Sequence, residues 1–110
     1  MDLQKMVEGI YVLFDRKYEF VNDKFAQLFG VTPEEVCSDA FDPMMLVAPE
    51  SRGFFMEQLR RGTRGEFTSQ QFAFTGMTKE GAPIACETLA LCIPYKWGVA
   101  IHGIIAAGAD

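Results

Sequence analysis

Leu3, Met6, Val7 and Ile10 recur at i, i+3, i+4 and i+7, with Asp2, Lys5 and Glu8 on the opposite side. This spacing predicts a short amphipathic helix ending near Gly9. Residues 10–14 and 18–21 are rich in β-branched and aromatic side chains and are separated by Asp15-Arg16-Lys17, the pattern of a β-hairpin. Asn22 stops the second strand and supplies the N-cap of a helix whose Phe25, Leu28 and Phe29 form an apolar stripe, with Gly30 closing it. Thr32-Pro33-Glu34-Glu35 opens another helix: Thr32 can accept from the amide of Glu35, Glu35 can return the bond, and Pro33 occupies the first helical position. Asp42-Pro43 predicts a short helical turn carrying Met44, Met45 and Leu46, and Pro49 opens a helix with Phe55, Met56 and Leu59 inward and Gly62 at its end. From Phe67 the period changes to two, predicting strands over 67–77, 83–93 and 99–106, joined by a Lys79-Glu80-Gly81 turn and a 94–98 connection. Two strands, several small helices and three strands predict an α+β fold built on one antiparallel sheet.

Composition narrows the class. The 110 residues, 49% hydrophobic, 23% charged and including ten Phe, describe one globular domain over 1–110, without repeat or linker. Fifteen acidic against ten basic residues leave a net charge of −5, which repels nucleic acid. The apolar stretch 99–109 is interrupted by His102, Gly103 and Gly108 and is too short to span a bilayer. Met1-Asp2-Leu3-Gln4-Lys5 lacks the basic and apolar regions of a signal peptide, so the expected location is cytoplasmic. Of the three cysteines, Cys86 and Cys92 are six residues apart on one predicted strand, roughly 20 Å, beyond a disulfide or a shared metal. With Cys37 they read as small buried hydrophobes.

The words Glu8-Gly9-Ile10-Tyr11-Val12, Phe20-Val21-Asn22, Phe25-Ala26-Gln27-Leu28-Phe29-Gly30, Pro33-Glu34-Glu35-Val36, Pro49-Glu50-Ser51-Arg52 and Lys79-Glu80-Gly81, in this order, resemble the PAS (sensory box) domains of bacterial signalling proteins. The resemblance covers about the whole chain. It implies a five-stranded antiparallel sheet, small helices packed on one face around a small-molecule pocket, and an outer face used for dimers or signal relay. It also implies a piece of a larger protein, upstream of a histidine kinase, a diguanylate cyclase or another output domain. Light-sensing members bond flavin through a cysteine whose aligned position here is Phe41, with Cys37 four residues early. The positions of their flavin-binding Asn and Gln hold Gly76, Cys86 and Ile105, so the flavin's polar edge would be left unpaired. Haem-binding members take a His from the long helix, and 50–61 contains none. Flavin and haem are therefore disfavoured, and no cofactor or metal is expected. The exit word that follows the last strand in this family is absent at Ala107-Gly108-Ala109.

Along 84–93, alternation sets Ile84, Cys86, Thr88, Ala90 and Cys92 on one face, which the resemblance turns inward. With Gly76, these small side chains leave room for a ligand pocket beneath Phe29, Met45 and Phe55, where Tyr11 and Thr88 could orient a polar group. A packed core has the same composition as a small apolar pocket, so both readings stay open. The other face carries Leu89, Leu91 and Ile93 beside His102 and Ile104, an apolar surface where a solvated sheet would alternate. The Leu3-Met6-Val7 helix is the nearest cover, in its own subunit or across a homodimer. Met44, Met45 and Met56 read as core filler and Arg60, Arg61 and Arg64 as a solvated helix end. There is no Ser-His-Asp order, metal-ligand cluster or phosphate loop, and Glu34, Glu35 and Glu50 are explained by helix starts. The expected function is a small-molecule sensing module relaying to an output domain; a ligand-free dimerisation module is the alternative, and a small enzyme has little support.

Overall fold

The computed structural model describes residues 8–107. Along the chain run β1 (Glu8–Phe14), β2 (Lys17–Val21), α1 (Asp23–Phe29), α2 (Pro33–Val36), a 3-10 turn (Pro43–Leu46), α3 (Pro49–Thr63), β3 (Ser69–Met77), β4 (Pro83–Tyr95) and β5 (Gly98–Ala107). The strands form one antiparallel sheet in the order β2-β1-β5-β4-β3, so the central β5 joins the β1-β2 hairpin to the β3-β4 hairpin. This is the expected α+β architecture. Leu3, Met6 and Val7 of the expected first helix lie outside the described residues. Glu8, Gly9 and Ile10, its predicted end, are instead strand: they pair with Ala106, Ile105 and Ile104 of β5, and that ladder satisfies their backbone.

The first hairpin turns on Asp15 and Arg16 alone, both left-handed at φ 53° and 67°, and Lys17 already pairs with Phe14. A two-residue turn of this hand matches the twist of the flanking strands. Glu19 is an extra residue opposite the Val12-Leu13 step, and this bulge lets both Tyr18 and Val21 point into the core. Asn22 accepts from the amides of Phe25 and Ile10, 2.9 Å each, capping α1 while holding it to β1. Gly30 ends α1 at φ 71°, the left-handed cap. The capping box of α2 forms in full, Glu35 N–H donating to Thr32 Oγ1 at 3.2 Å and Thr32 N–H to Glu35 Oε2 at 2.8 Å.

Further boundaries differ from expectation: β3 begins at Ser69 and not Phe67, and the ends of α3 and β4 move as well. Gly62 does not end α3, which continues to Thr63. Its role is close approach: a Cβ there would lie 2.9 Å from Cys92 Sγ and 3.1 Å from Ile101 Cδ1, so the missing side chain lets α3 lie on the sheet. The 94–98 connection contracts to the turn Lys96-Trp97, because Pro94 and Tyr95 stay in β4, paired with Val99 and Gly98. Proline is tolerated there because β3 begins at Ser69, opposite Leu91, leaving β4 an edge strand beyond that point.

The core lies between the inner sheet face and α1, α2 and α3. Tyr11, Tyr18, Phe25 and Phe29 form its aromatic half, with ring centroids 4.9 to 6.1 Å apart along the series. Such offset and edge-on pairs add to simple burial. Phe55 on α3 forms the other half, 4.8 Å from Phe74 and 5.9 Å from Phe72.

Candidate functional site: a packed inner face beside an open cleft

The alternation along β4 holds: Cys86, Thr88 and Ala90 are buried on the inner face, while Glu87 and Leu89 point outward. Of the residues expected to line a pocket, Tyr11, Phe29, Phe55, Gly76, Cys86, Thr88 and Ala90 are buried. Met45 is not among them in space. The 3-10 turn directs Leu46 and Pro43 inward and leaves Met45 58% exposed.

Tyr11 explains how this face closes. From β1 its ring crosses β5 and its hydroxyl meets Thr88 Oγ1 on β4 at 2.8 Å. Thr88 Oγ1 donates its own proton to the Ile104 carbonyl at 3.0 Å, so the phenol is the donor to Thr88. The crossing is possible only because Gly103 has no side chain; a Cβ there would sit 2.0 Å from Tyr11 Cζ. The two hydroxyls that could have oriented a ligand thus satisfy each other. Burial pushes the Tyr11 phenol up to about 12, against the lowering effect of its bond to Thr88. At the other end of the face, a Cβ on Gly76 would lie 2.9 Å from Cys86 Sγ and 3.0 Å from Phe29. Burial raises the Cys86 thiol to about 11, so it stays protonated and unreactive at neutral pH.

Open space lies elsewhere. A cleft of about 830 Å³ runs between α3, the 3-10 turn and the hairpin turns at Asp15-Arg16 and Lys96-Trp97, with Leu13, Met44, Met56, Leu59, Val99 and Ile101 as apolar wall. Asp15, Arg16, Asp42, Glu57 and Arg60 stand among its polar lining, and the exposed Trp97 lines it too. None of the eight expected pocket residues lines it. Arg52 fixes one wall, its Nε donating to the carbonyls of Met44 at 3.1 Å and Val47 at 2.9 Å, which ties α3 to the 3-10 turn. Met56, expected inward, is half exposed, since Phe55, Gln58 and Gly62 form the sheet-facing side of α3. The burial of Gln58 has little signal in the sequence: a lone Gln among the charged residues of this helix reads as solvated, and only its three-residue spacing from Phe55 hints otherwise.

On the outer face, register places Phe20, Val12, His102 and Leu91 in one row across the sheet, and Ile10, Ile104 and Leu89 in the next. Phe20 is 50% and Leu89 37% exposed, so the apolar surface is real and wider than expected, because the bulge aligns Phe20 with it. Its end is covered locally: Phe14 is buried beneath Tyr95 and Trp97, at ring distances of 5.0 and 4.7 Å. Glu19 accepts from Lys96 Nζ at 3.2 Å and Tyr95 Oη at 3.0 Å, and these bonds, that of Lys96 foremost, hold its carboxyl below the usual range. Leu91, Ile93, His102 and Ile104 share this face, partly buried, with Leu89.

Among the described residues, no group of three or more His, Cys, Asp or Glu is placed to hold a metal, and no helix is long and apolar enough to cross a membrane.

No family model matches the chain, and no curated protein does. Solved structures do. A PAS domain from Colwellia psychrerythraea superposes at a TM-score of 0.78 with 14% identity, covering 96% of this chain and 92% of its own. A domain of a sensory box sensor histidine kinase/response regulator from Geobacter sulfurreducens does so at 0.73 with 25% identity, over 91% and 82%. The N-terminal domain of a diguanylate cyclase with PAS/PAC sensor from Marinobacter aquaeolei matches at 0.73 with 10% identity, over 91% and 94%. A light-oxygen-voltage domain studied with a flavin analogue is similar at 0.70 with 15% identity, over 98% and 82%. The chain has the PAS fold, found in sensor kinases and other signalling proteins.

Its inner face does not fit a flavin. Gly76 and Cys86 are in mutual contact under Phe29, Tyr11 lies over Gly103, and no side-chain amide stands at Gly76, Cys86 or Ile105. Nor does it fit a histidine-ligated haem, since His102 stands on the outer face, between Val12 and Leu91.

Proposed function

We propose that this chain is a sensory PAS module that binds a small molecule in the cleft between α3 and the end of the inner sheet face, and relays occupancy to a covalently linked output domain such as a histidine kinase or diguanylate cyclase. The observation that carries this reading is the cleft itself. Its volume of about 830 Å³ falls in the range of small-molecule sites, and its wall is apolar with charges among its lining. The expected pocket around Gly76, Cys86, Thr88 and Ala90 is the less favoured seat, because its hydroxyls are already paired with each other. The module acts in the cytoplasm and performs no chemistry of its own.

Relay runs through a homodimer formed by the outer face, with Leu89, Leu91, Ile93, His102 and Ile104 at its centre and Leu3, Met6 and Val7 contributing. The half-exposed Phe20 and exposed Leu89 support this assignment. They also favour the second reading, a dimerisation and relay module without a ligand.

Gly53 offers the test. It lines the cleft on α3, a Cβ there meets nothing within 4 Å, and its φ is ordinary for a helix. Gly53→Trp should fill the cleft without strain. Compounds from a small-molecule library that raise the melting temperature of the wild type should lose that effect in the variant. A library that stabilises neither protein favours the ligand-free reading, and one that stabilises both equally rejects the cleft as the ligand site and puts the ligand elsewhere on the fold.

A further inference from the structure

α3 presents Phe55, Gln58 and Gly62 to the sheet. Phe55 rests on Phe72 and Phe74, and Gly62 on Cys92 and Ile101, so the Gln58 side chain lies between these contacts. Only 5% of Gln58 is exposed, and its Oε1 is buried with no hydrogen-bond partner. Buried polar atoms are almost always paired, because leaving one unpaired forfeits its full desolvation cost. The neighbours of Gln58 on two sides, Leu59 in the chain and Ile101 beneath the next helical turn, are wall residues of the cleft. Gln58 itself is not part of that wall; its unpaired amide belongs to the buried, sheet-facing side of α3, one position from Leu59.

We infer that Gln58 is the residue that reads the cleft's ligand: its amide oxygen accepts a hydrogen bond from a neutral, largely apolar molecule carrying an N–H or O–H donor, which reaches it past Leu59 and Ile101. This inference rests on the cleft being the ligand site. The ligand is neutral because the contacts on either side of Gln58, those of Phe55 with Phe72 and Phe74 and those of Gly62 with Phe67, Cys92 and Ile101, offer no counter-charge, and a buried ion without one is far costlier than a buried dipole. The charges of Asp15, Arg16, Asp42, Glu57 and Arg60 belong to the cleft's polar lining, which does not include Gln58.

The test uses the full chain with indole, which has one N–H donor, and 1-methylindole, which has none. Binding is followed by NMR at the methyl groups of Leu13, Leu59 and Ile101 and at the side-chain amide of Gln58. Wild type should bind indole about tenfold more tightly than 1-methylindole, and indole alone should move the Gln58 signal. In Gln58→Leu the preference should vanish while 1-methylindole still binds, and the ligand-free variant should melt several degrees higher, having lost an unpaired buried amide. Gln58→Met serves the same purpose should the leucine variant fail to fold. Equal affinity for both probes with moving cleft methyls overturns the role of Gln58 and leaves the cleft reading intact. A lower melting temperature in both Gln58 variants overturns it too, since it means the amide is satisfied without a ligand. If neither probe moves a cleft methyl, this inference and the cleft reading fall together.

Discussion

Gly103→Ala puts the packing of the inner face under direct strain. The new Cβ would stand 2.0 Å from Tyr11 Cζ and 2.3 Å from its hydroxyl oxygen, so the ring must leave its place across β5. Overpacking of this kind costs about 1–3 kcal/mol. Moving the ring also separates the phenol from Thr88, and an unpaired buried hydroxyl costs about 1–3 kcal/mol more. Replacing a strand glycine by alanine returns about 0.5–1 kcal/mol through reduced chain entropy. The net loss is on the order of 1–5 kcal/mol, a large fraction of the ~5–15 kcal/mol that holds a domain folded. Urea denaturation measures it. The decisive control is the Tyr11→Leu background, where the ring is gone and Gly103→Ala should cost less than about 1 kcal/mol. A small cost in the wild-type background, or the same large cost in both, would refute the packing of Tyr11 over β5 and reopen the inner face as a ligand pocket.

Alkaline pH should act through the same ring. Burial raises Tyr11 to about 12 and raises Tyr18 as well, so their contribution to stability is fully present below pH 10 and is lost as pH climbs through the folded values. Near-ultraviolet phenolate absorbance should show Tyr11 and Tyr18 ionising only as the chain unfolds; ionisation of both in the folded protein near pH 10 contradicts their burial. Arg16→Gly should stabilise the first hairpin by on the order of 1 kcal/mol, because Arg16 sits at φ 67°, and a thermal melt showing no gain would count against that turn. Leu91→Glu should shift the sedimentation coefficient from dimer to monomer; a wild type already monomeric at high micromolar concentration defeats the proposed interface. The purified chain should be colourless in the visible range, and a stoichiometric flavin or haem band would contradict the misfit at Gly76, Cys86 and Ile105.

Local signals in the chain carried most of the fold. Asn22, Gly30 and the Thr32-Glu35 box mark α1 and α2 through bonds made within a few residues, and the period-two pattern of 84–93 sorts the two faces of β4. Gly62 misled because a glycine past an apolar stripe reads as a terminator, whereas here its use is contact with Cys92 and Ile101, residues far away in the chain. The site was harder to read for the same reason. The cleft wall is assembled from β1, the 3-10 turn, α3 and β5, and no local pattern announces a gap between such distant segments. Alternation sorts the two faces and the family resemblance turns one of them inward, but whether that face is open depends on Tyr11 crossing Gly103, which has no side chain. That contact spans more than ninety positions of sequence, and only the β1-β5 register reveals it.

The central claim, that the cleft holds a small molecule, is tested most directly by native mass spectrometry of freshly purified protein, comparing wild type with Gly53→Trp. The account predicts that wild type carries an added small neutral mass, released when the protein is unfolded, and that the variant shows the chain alone. Wild type at the mass of the chain alone, identical to the variant in carrying nothing, would contradict it.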